Sequence, residues 1–209
     1  MRADLHFHVR RRKSDWADRL RGMVRRAAEC GVEGAVLLDH DWWATDEALG
    51  VAAEAAPSMA FWRGCEATVV DAGRGAKDHV VLAADPDVDL IEAGGGFASS
   101  DAARLAAFAG QPGVFSMLAH PFRRRFDLAF DLHEFRPVGI DGLSRTANPF
   151  RLGEVVRLAG AFGMRVLTAS DSHGERDVGR HWVDLEMGGL TVAHLRAAVE
   201  AGRYSLHVG

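Results

Sequence analysis

The chain has 209 residues, 48% of them hydrophobic and 26% charged, with a formal net charge of −4. That is the balance of one medium-sized globular domain with a real core, and it draws the chain as a whole neither to nucleic acid nor to an anionic membrane. No apolar run approaches the ~18–20 residues of a membrane span, no signal-peptide core opens the chain, and the two cysteines, Cys30 and Cys65, lie in apolar stretches as reduced core residues, so the expected location is cytoplasmic.

Strand-like and helix-like segments alternate along the sequence. Residues 4–9 are strand-like, and Ser14-Asp15 then precedes a helix whose apolar positions Trp16, Leu20, Met23, Val24 and Ala27 recur at three and four. Gly31 follows as a C-terminal stop. Next come a strand over 34–39 and a helix from about Thr45 that Pro57 ends. Strands over 60–70 and 79–84 are joined by the short glycine-containing stretch 71–75, and a helix starting near Ser100-Asp101 leads to a strand over 114–119. The second half continues with a strand over 138–143, a helix from Pro149 to Phe162, strands over 164–170 and 182–187, and a last helix over 191–201. Segments such as V-L-L, V-V-L-A-A and R-V-L-T-A are apolar on both faces, the pattern of parallel strands covered by helices. No linker or low-complexity tract divides the chain. The expectation is one α/β domain of about seven repeated units, closer to a barrel than to an open sheet.

The ionisable residues fall mostly at strand ends. His6 and His8 share a face of the first strand with Asp4, and Asp39-His40 ends the second. Glu66 lies in the third strand, His79 opens the fourth, His120 ends the fifth, Asp141 lies in the sixth, and Asp171 and His173 end the seventh. Strand ends form the rim on which a (β/α) barrel builds its active site. A single histidine there is more often a hydrogen-bonded structural residue, and one H-x-H or D-S-H is a weak signal. Six histidines converging with several carboxylates is different, because without metal such a cluster is costly to assemble. Nitrogen and carboxylate donors without thiolate suit zinc, manganese or iron rather than calcium, and their number implies two or three ions.

D-L-H-F-H, L-D-H-D, G-C-E, D-H-V-V-L, A-H-P-F-R and S-D-S-H occur in the order found in the polymerase and histidinol phosphatase (PHP) family, which the chain resembles from Asp4 to about Gly179. The resemblance implies a distorted (β/α)7 barrel and hydrolysis of phosphate esters with two or three divalent metal ions. It implies that His6, His8, Glu66 and Asp171 hold one metal, and that Glu66 bridges to a second held by His79 and His120. A third would take His40, His173 and a residue after the first strand. Relatives place that last ligand a few residues after H-x-H. Here R-R-R-K intervenes, leaving Asp15 as the candidate ligand or, alternatively, a helix-start residue.

Ester hydrolysis by a metal-bridging hydroxide also needs cationic partners for the phosphoryl oxygens. Arg123, beyond His120, and Arg10 and Arg11 with Arg12, beyond His8, are the candidates, with Arg145 and Arg180 weaker ones. Asp4 and Asp39 would orient imidazoles through the nitrogen facing away from the metal, or protonate the leaving alkoxide. The leading function is a phosphatase for a small phosphorylated substrate. A phosphodiesterase or exonuclease is the alternative, with Trp42, Trp43 and the arginines holding a nucleotide, although acidic net charge weighs against nucleic acid. An amidohydrolase is a second class, but only Lys13 and Lys77 are present to form a carboxylated-lysine bridge, and Glu66 supplies one more naturally. A non-catalytic metal-binding domain would need only about four ligands.

Overall fold

The computed structural model describes residues 1–123 and 127–209; Arg124 and Arg125, the rest of the second basic run, lie outside them. In chain order the elements are β1 (Arg2–His8), α1 (Trp16–Glu29), β2 (Gly34–Asp39), β3 (Trp42–Trp43), α2 (Asp46–Ala55), β4 (Ala60–Asp71), β5 (Ala76–Ala84), β6 (Phe97–Ala98), α3 (Ala102–Ala109), β7 (Val114–Ala119), β8 (Gly139–Asp141), α4 (Leu152–Phe162), β9 (Arg165–Leu167), β10 (His181–Leu185), α5 (Val192–Glu200) and β11 (Tyr204–Val208). The strands form one sheet in the order β11-β10-β1-β2-β4-β5-β7-β8-β9, with β3 added to β2 and β6 to β4.

Beyond β9 the chain returns to β1. The His8 amide donates to the Ser172 carbonyl at 3.2 Å and the Ser172 amide to the His6 carbonyl at 3.3 Å. These two bonds nearly close a barrel whose wall is β1, β2, β4, β5, β7, β8 and β9. This is the single-domain, mixed α/β barrel that the resemblance implied.

Local chemistry accounts for the elements that carry the wall. The α1 stripe Leu20, Met23, Val24 and Ala27 is buried and packs with Phe7, Val9, Ala48 and Ala52 between the first two helices and the first two strands. Thr45 caps α2, its hydroxyl accepting the Ala48 amide at 3.3 Å. Gly64 lets β4 lie close against β2, since a Cβ there would stand 2.5 Å from Val36 Cγ1 and 3.0 Å from the Leu37 carbonyl oxygen. A second core, including Val80, Leu82, Leu105, Phe108, Leu118 and Phe135, lies under α3.

Three departures from the sequence expectation have physical causes. β5 is antiparallel to both β4 and β7, because the connection of a few residues after β4 is far too short for a parallel crossover of a dozen or more. The reversal puts the first half of β5, with His79, beside the residues just past Glu66, with His79 paired to Thr68. β9 stops at Leu167 instead of running to 170, because the Ser170 amide turns to Asp4 Oδ1 at 3.0 Å. The short strands β3 and β6 and the final strand β11 lack the hydrophobic length that reveals a strand in sequence.

Candidate metal centre

Glu66 is the hub of the site. It is fully buried, and its two oxygens face different imidazoles. Oε1 lies 2.9 Å from His79 Nδ1 and 3.2 Å from His120 Nε2. Oε2 lies 3.0 Å from His40 Nδ1, 3.2 Å from His8 Nε2 and 3.4 Å from His6 Nε2. The imidazoles touch one another in a closed circuit, His6–His8–His40–His79–His120–His6, with ring centroids 4.9–5.7 Å apart. His173 joins from outside, 4.1 Å from the His8 ring. Asp171 completes the inner set: its Oδ1 is 3.4 Å from His6 Nε2 and 3.2 Å from His8 Nε2.

Hydrogen bonds cannot satisfy this arrangement. His6 Nε2 faces His8 Nε2 at 3.1 Å as well as the two carboxylates, yet a neutral imidazole nitrogen carries at most one proton. Glu66 Oε2 and both ring nitrogens of His79 are buried without a hydrogen-bond partner, although nitrogen and oxygen atoms lie within 3.4 Å of Glu66 Oε2 and at 2.9 Å from His79 Nδ1. Donor atoms this close and not aimed at one another are aimed at common points. Donors on ~2.0–2.2 Å bonds around one tetrahedral or octahedral cation stand about 3.0–3.5 Å apart. The five separations among His6, His8, Glu66 and Asp171 given above span 3.1–3.4 Å. The residues therefore fit divalent metal. Four overlapping triads converge this way: His6/His8/Asp171, His6/Glu66/His120, His40/Glu66/His79 and His8/His40/His173.

The metal-free electrostatics agree. Burial works against the Glu66 and Asp171 carboxylates, but surrounding imidazoles outweigh it and hold both below the usual carboxylate range. Burial likewise works against a charged His8 and His120, yet Asp171, Asp39 and Glu66 raise His8, and Glu66 raises His120. The carboxylates thus draw positive charge onto His8 and His120, whereas burial lowers His79 and His173. A bound cation would supply that charge.

The chain is strained where it delivers these groups. Arg10, Asp41, His120, Phe122 and Asp171 all have positive φ, from 29° to 60°, a region non-glycine residues seldom enter. Each is beside or within the cluster, and four of the five are tied down. The Arg10 amide donates to Asp39 Oδ1 at 2.9 Å, the Asp41 amide to the Glu66 carbonyl at 3.0 Å and the His120 amide to Asp141 Oδ2 at 3.3 Å. Thr146 Oγ1 donates to Asp171 Oδ2 at 2.5 Å.

Other predicted residues land elsewhere. Asp15 is exposed just before α1, where its side chain makes no capping hydrogen bond and lies 3.6 Å from Arg19; His8 is the third member of the outer triad with His40 and His173. Asp4 accepts the backbone amides of His6 and Ser170 at 3.2 and 3.0 Å, so it pins the barrel seam instead of an imidazole ring. Burial raises its pKa to about 6, but it is 1% exposed, out of reach of a leaving group. Asp39 accepts the amides of Arg10 and Arg11, both at 2.9 Å. Burial would raise its pKa, but His8 and these amides hold it low; its Oδ1 lies 4.0 Å from His8 Nδ1, the ring nitrogen that faces away from Glu66 and Asp171. Asp141 is fully buried and accepts the amides of His120, Leu143 and Ser144. Arg145 pairs with Asp177 at 3.4 Å, and Arg180 is exposed and lines neither cavity described below. Thr146 carried no signal in the sequence, because a threonine bonded to a ligand looks like any loop threonine.

Two cavities flank the centre. One, of ≈ 530 Å³, runs from His8, His40 and His173 along Arg10, Arg11, Arg12 and Lys13 to Trp42 and Trp43. The other, of ≈ 460 Å³, is lined by His40, His79, His120, Lys77, Asp78, Phe122, Arg123 and Asp127. They meet at His40, which is half exposed.

Residues 151–204 match a protein-family profile described as PHP-associated. Solved structures match over nearly the whole chain. A protein provisionally described as a metal-dependent phosphoesterase, from Bifidobacterium adolescentis, has a TM-score of 0.58 at 16% identity, over 83% of this chain and 88% of its own. The chain has a PHP-like fold. PsfC from Pseudomonas syringae PB-5123 shares that fold with a TM-score of 0.69 at 16% identity, over 100% of this chain and 91% of its own. An amidohydrolase from Chromobacterium violaceum, solved with bound sulfate and no metal, gives 0.58 at 20% identity, over 85% and 89%. No curated protein sequence matches. Among the described residues no helix is long and apolar enough to cross a membrane.

Proposed function

We propose that this PHP-like chain is a metal-dependent phosphoesterase acting on a small phosphomonoester, with two or three divalent ions (manganese, iron or zinc) as cofactors. The observation that carries the reading is Glu66, fully buried, with its two oxygens turned to separate sets of imidazoles. His6, His8, Glu66 and Asp171 would hold one ion, Glu66, His79 and His120 a second, and His8, His40 and His173 would serve a third. Divalent ions, when bound, supply positive charge for the phosphoryl oxygens and lower the pKa of water.

The chain's own groups set orientation. Arg10 NH1 donates to the His173 carbonyl at 3.3 Å, which holds its guanidinium at the rim of the centre. Arg123 stands on the opposite side, in the cavity of His79 and His120. Forked guanidinium donors on two sides suit a tetrahedral oxyanion. Thr146 fixes Asp171, and Asp141 fixes the backbone of His120, so ligands reach the centre from elements that cannot swing independently. A phosphodiester remains the second reading, favoured by the cavities opening on both sides of His40.

The test is hydrolysis of phosphomonoesters, phosphodiesters and amides by protein loaded with manganese, iron or zinc. Monoester turnover that a chelator abolishes supports the proposal. Amide turnover without ester turnover contradicts it.

A further inference from the structure

Four consecutive cations, Arg10 to Lys13, line the first cavity. Several arginines elsewhere have carboxylates, among them Arg2 with Asp184, Arg19 with Asp15, Arg21 with Asp18, Arg145 with Asp177 and Arg196 with Glu200, while others stand singly. What distinguishes Arg10 to Lys13 is that four adjacent cations share one cavity. Among the described residues no carboxylate oxygen lies within 4.0 Å of the side-chain nitrogens of Arg10, Arg11, Arg12 or Lys13. The acid in the cavity wall, Asp39, is already engaged. Its oxygens take the Arg10 and Arg11 amides, an arrangement that fixes the turn at Arg10 (φ 60°) and aims the run along the cavity. A solvated surface run needs neither a strained turn nor a carboxylate to hold it.

The same cavity is also lined by two tryptophans. β3 pairs with β2, placing Trp42 opposite Asp39 and Trp43 opposite Leu38. Trp43 is fixed by its indole N–H to the Ile91 carbonyl at 2.8 Å, while Trp42 is 51% exposed. His8, His40 and His173 line the same cavity, so a ligand with one phosphoryl group at the centre has both cations and an indole within the cavity it occupies.

Resting on the phosphoesterase reading, we propose that the substrate carries a second anionic group on its leaving-group side, with that group among Arg10, Arg11, Arg12 and Lys13 and the intervening apolar body against Trp42. The cavity thus selects esters with two separated anions over esters of neutral alcohols. The second anion is a phosphoryl or carboxylate group; guanidinium forks accept either.

Three non-hydrolysable probes test this on metal-loaded protein by calorimetry: phenylphosphonate, 4-phosphonobenzoate and benzene-1,4-diphosphonate. At least one of the two doubly anionic probes binds about tenfold or more tightly than phenylphosphonate, about 1.4 kcal/mol; which one does so assigns carboxylate or phosphoryl. In the R11Q/R12Q/K13Q variant the preference falls to within about twofold, whereas R19Q/R21Q/R25Q, which removes three charges from α1, keeps it. Equal binding of all three probes by the wild type, a preference that survives the first variant, or its loss in the second overturns the proposal. If the preference behaves as expected but no phosphate ester is hydrolysed, the anion site stands and the phosphoesterase reading falls. Ester hydrolysis without the preference has the opposite meaning.

Discussion

The two cavities that meet at His40 are built from different material. The first draws its charge from one contiguous cationic run held by Asp39, and includes two tryptophans in its lining. The second gathers both signs, Lys77 and Arg123 with Asp41, Asp78 and Asp127. Asp41 there is engaged by the Thr68 amide and hydroxyl, and Asp78 by the Ala129 amide at 2.5 Å. One cavity therefore presents a field that attracts anions, and the other a surface of mixed sign that can position a group without strongly selecting for an anion. In a barrel with candidate metal-binding side chains on every side, selectivity is set by what lies next to them, and here the two sides differ.

The largest expected effect removes what the cavities share. Glu66→Gln should lower kcat at least about 10³-fold, the upper end of what one electrostatic group contributes, and should do so for every ester whichever cavity it fills. An activity loss confined to one substrate class would break the shared-centre account. Next, Thr146→Val should weaken metal affinity by about 10–100-fold, the usual cost of losing a hydrogen bond to a ligand, while Thr146→Ser restores it. The cavities themselves are separated by a smaller pair of effects. R11Q/R12Q/K13Q should raise KM for doubly anionic esters about tenfold, and R123Q should raise it about twofold, with charge complementarity deciding the order. A reversal of that order in steady-state kinetics would exchange the roles given to the two sides. The smallest effect is Asp15→Asn, which should leave metal content unchanged by elemental analysis. Loss of one ion would return Asp15 to the centre.

The sequence shows much of the fold because strand ends and hydrophobic periods are local properties. The α1 stripe, the Thr45 cap and the apolar strand over 114–119 all carry their signal within a few residues. The reversed direction of β5 was implicit in the shortness of the turn before it, but apolar-on-both-faces patterning also fits a parallel strand, and that pattern misleads here. The convergence of His6, His8, His40, His79, His120 and His173 could be anticipated because each sits near a strand end on the same rim. What spacing cannot reveal is which acid turns inward. Asp15 and Asp39 are each a few residues from a histidine motif, yet Asp15 faces solvent at the start of α1, while Asp39 binds backbone amides and lies 4.0 Å from His8 Nδ1. Asp4 alternates with His6 and His8 on paper, but its carboxylate is taken by the seam at Ser170. The bond from Thr146 to Asp171 depends on a contact between distant segments, which no local pattern encodes.

The central claim is that Glu66 joins metal ions held by separate sets of imidazoles, and metal stoichiometry tests it most directly. Chelator-stripped protein reloaded with manganese or zinc and then desalted should hold more than one ion per chain, and Glu66→Gln should hold at least one fewer while remaining folded. Wild-type protein that retains no metal, or a Glu66→Gln variant with unchanged stoichiometry, would contradict it.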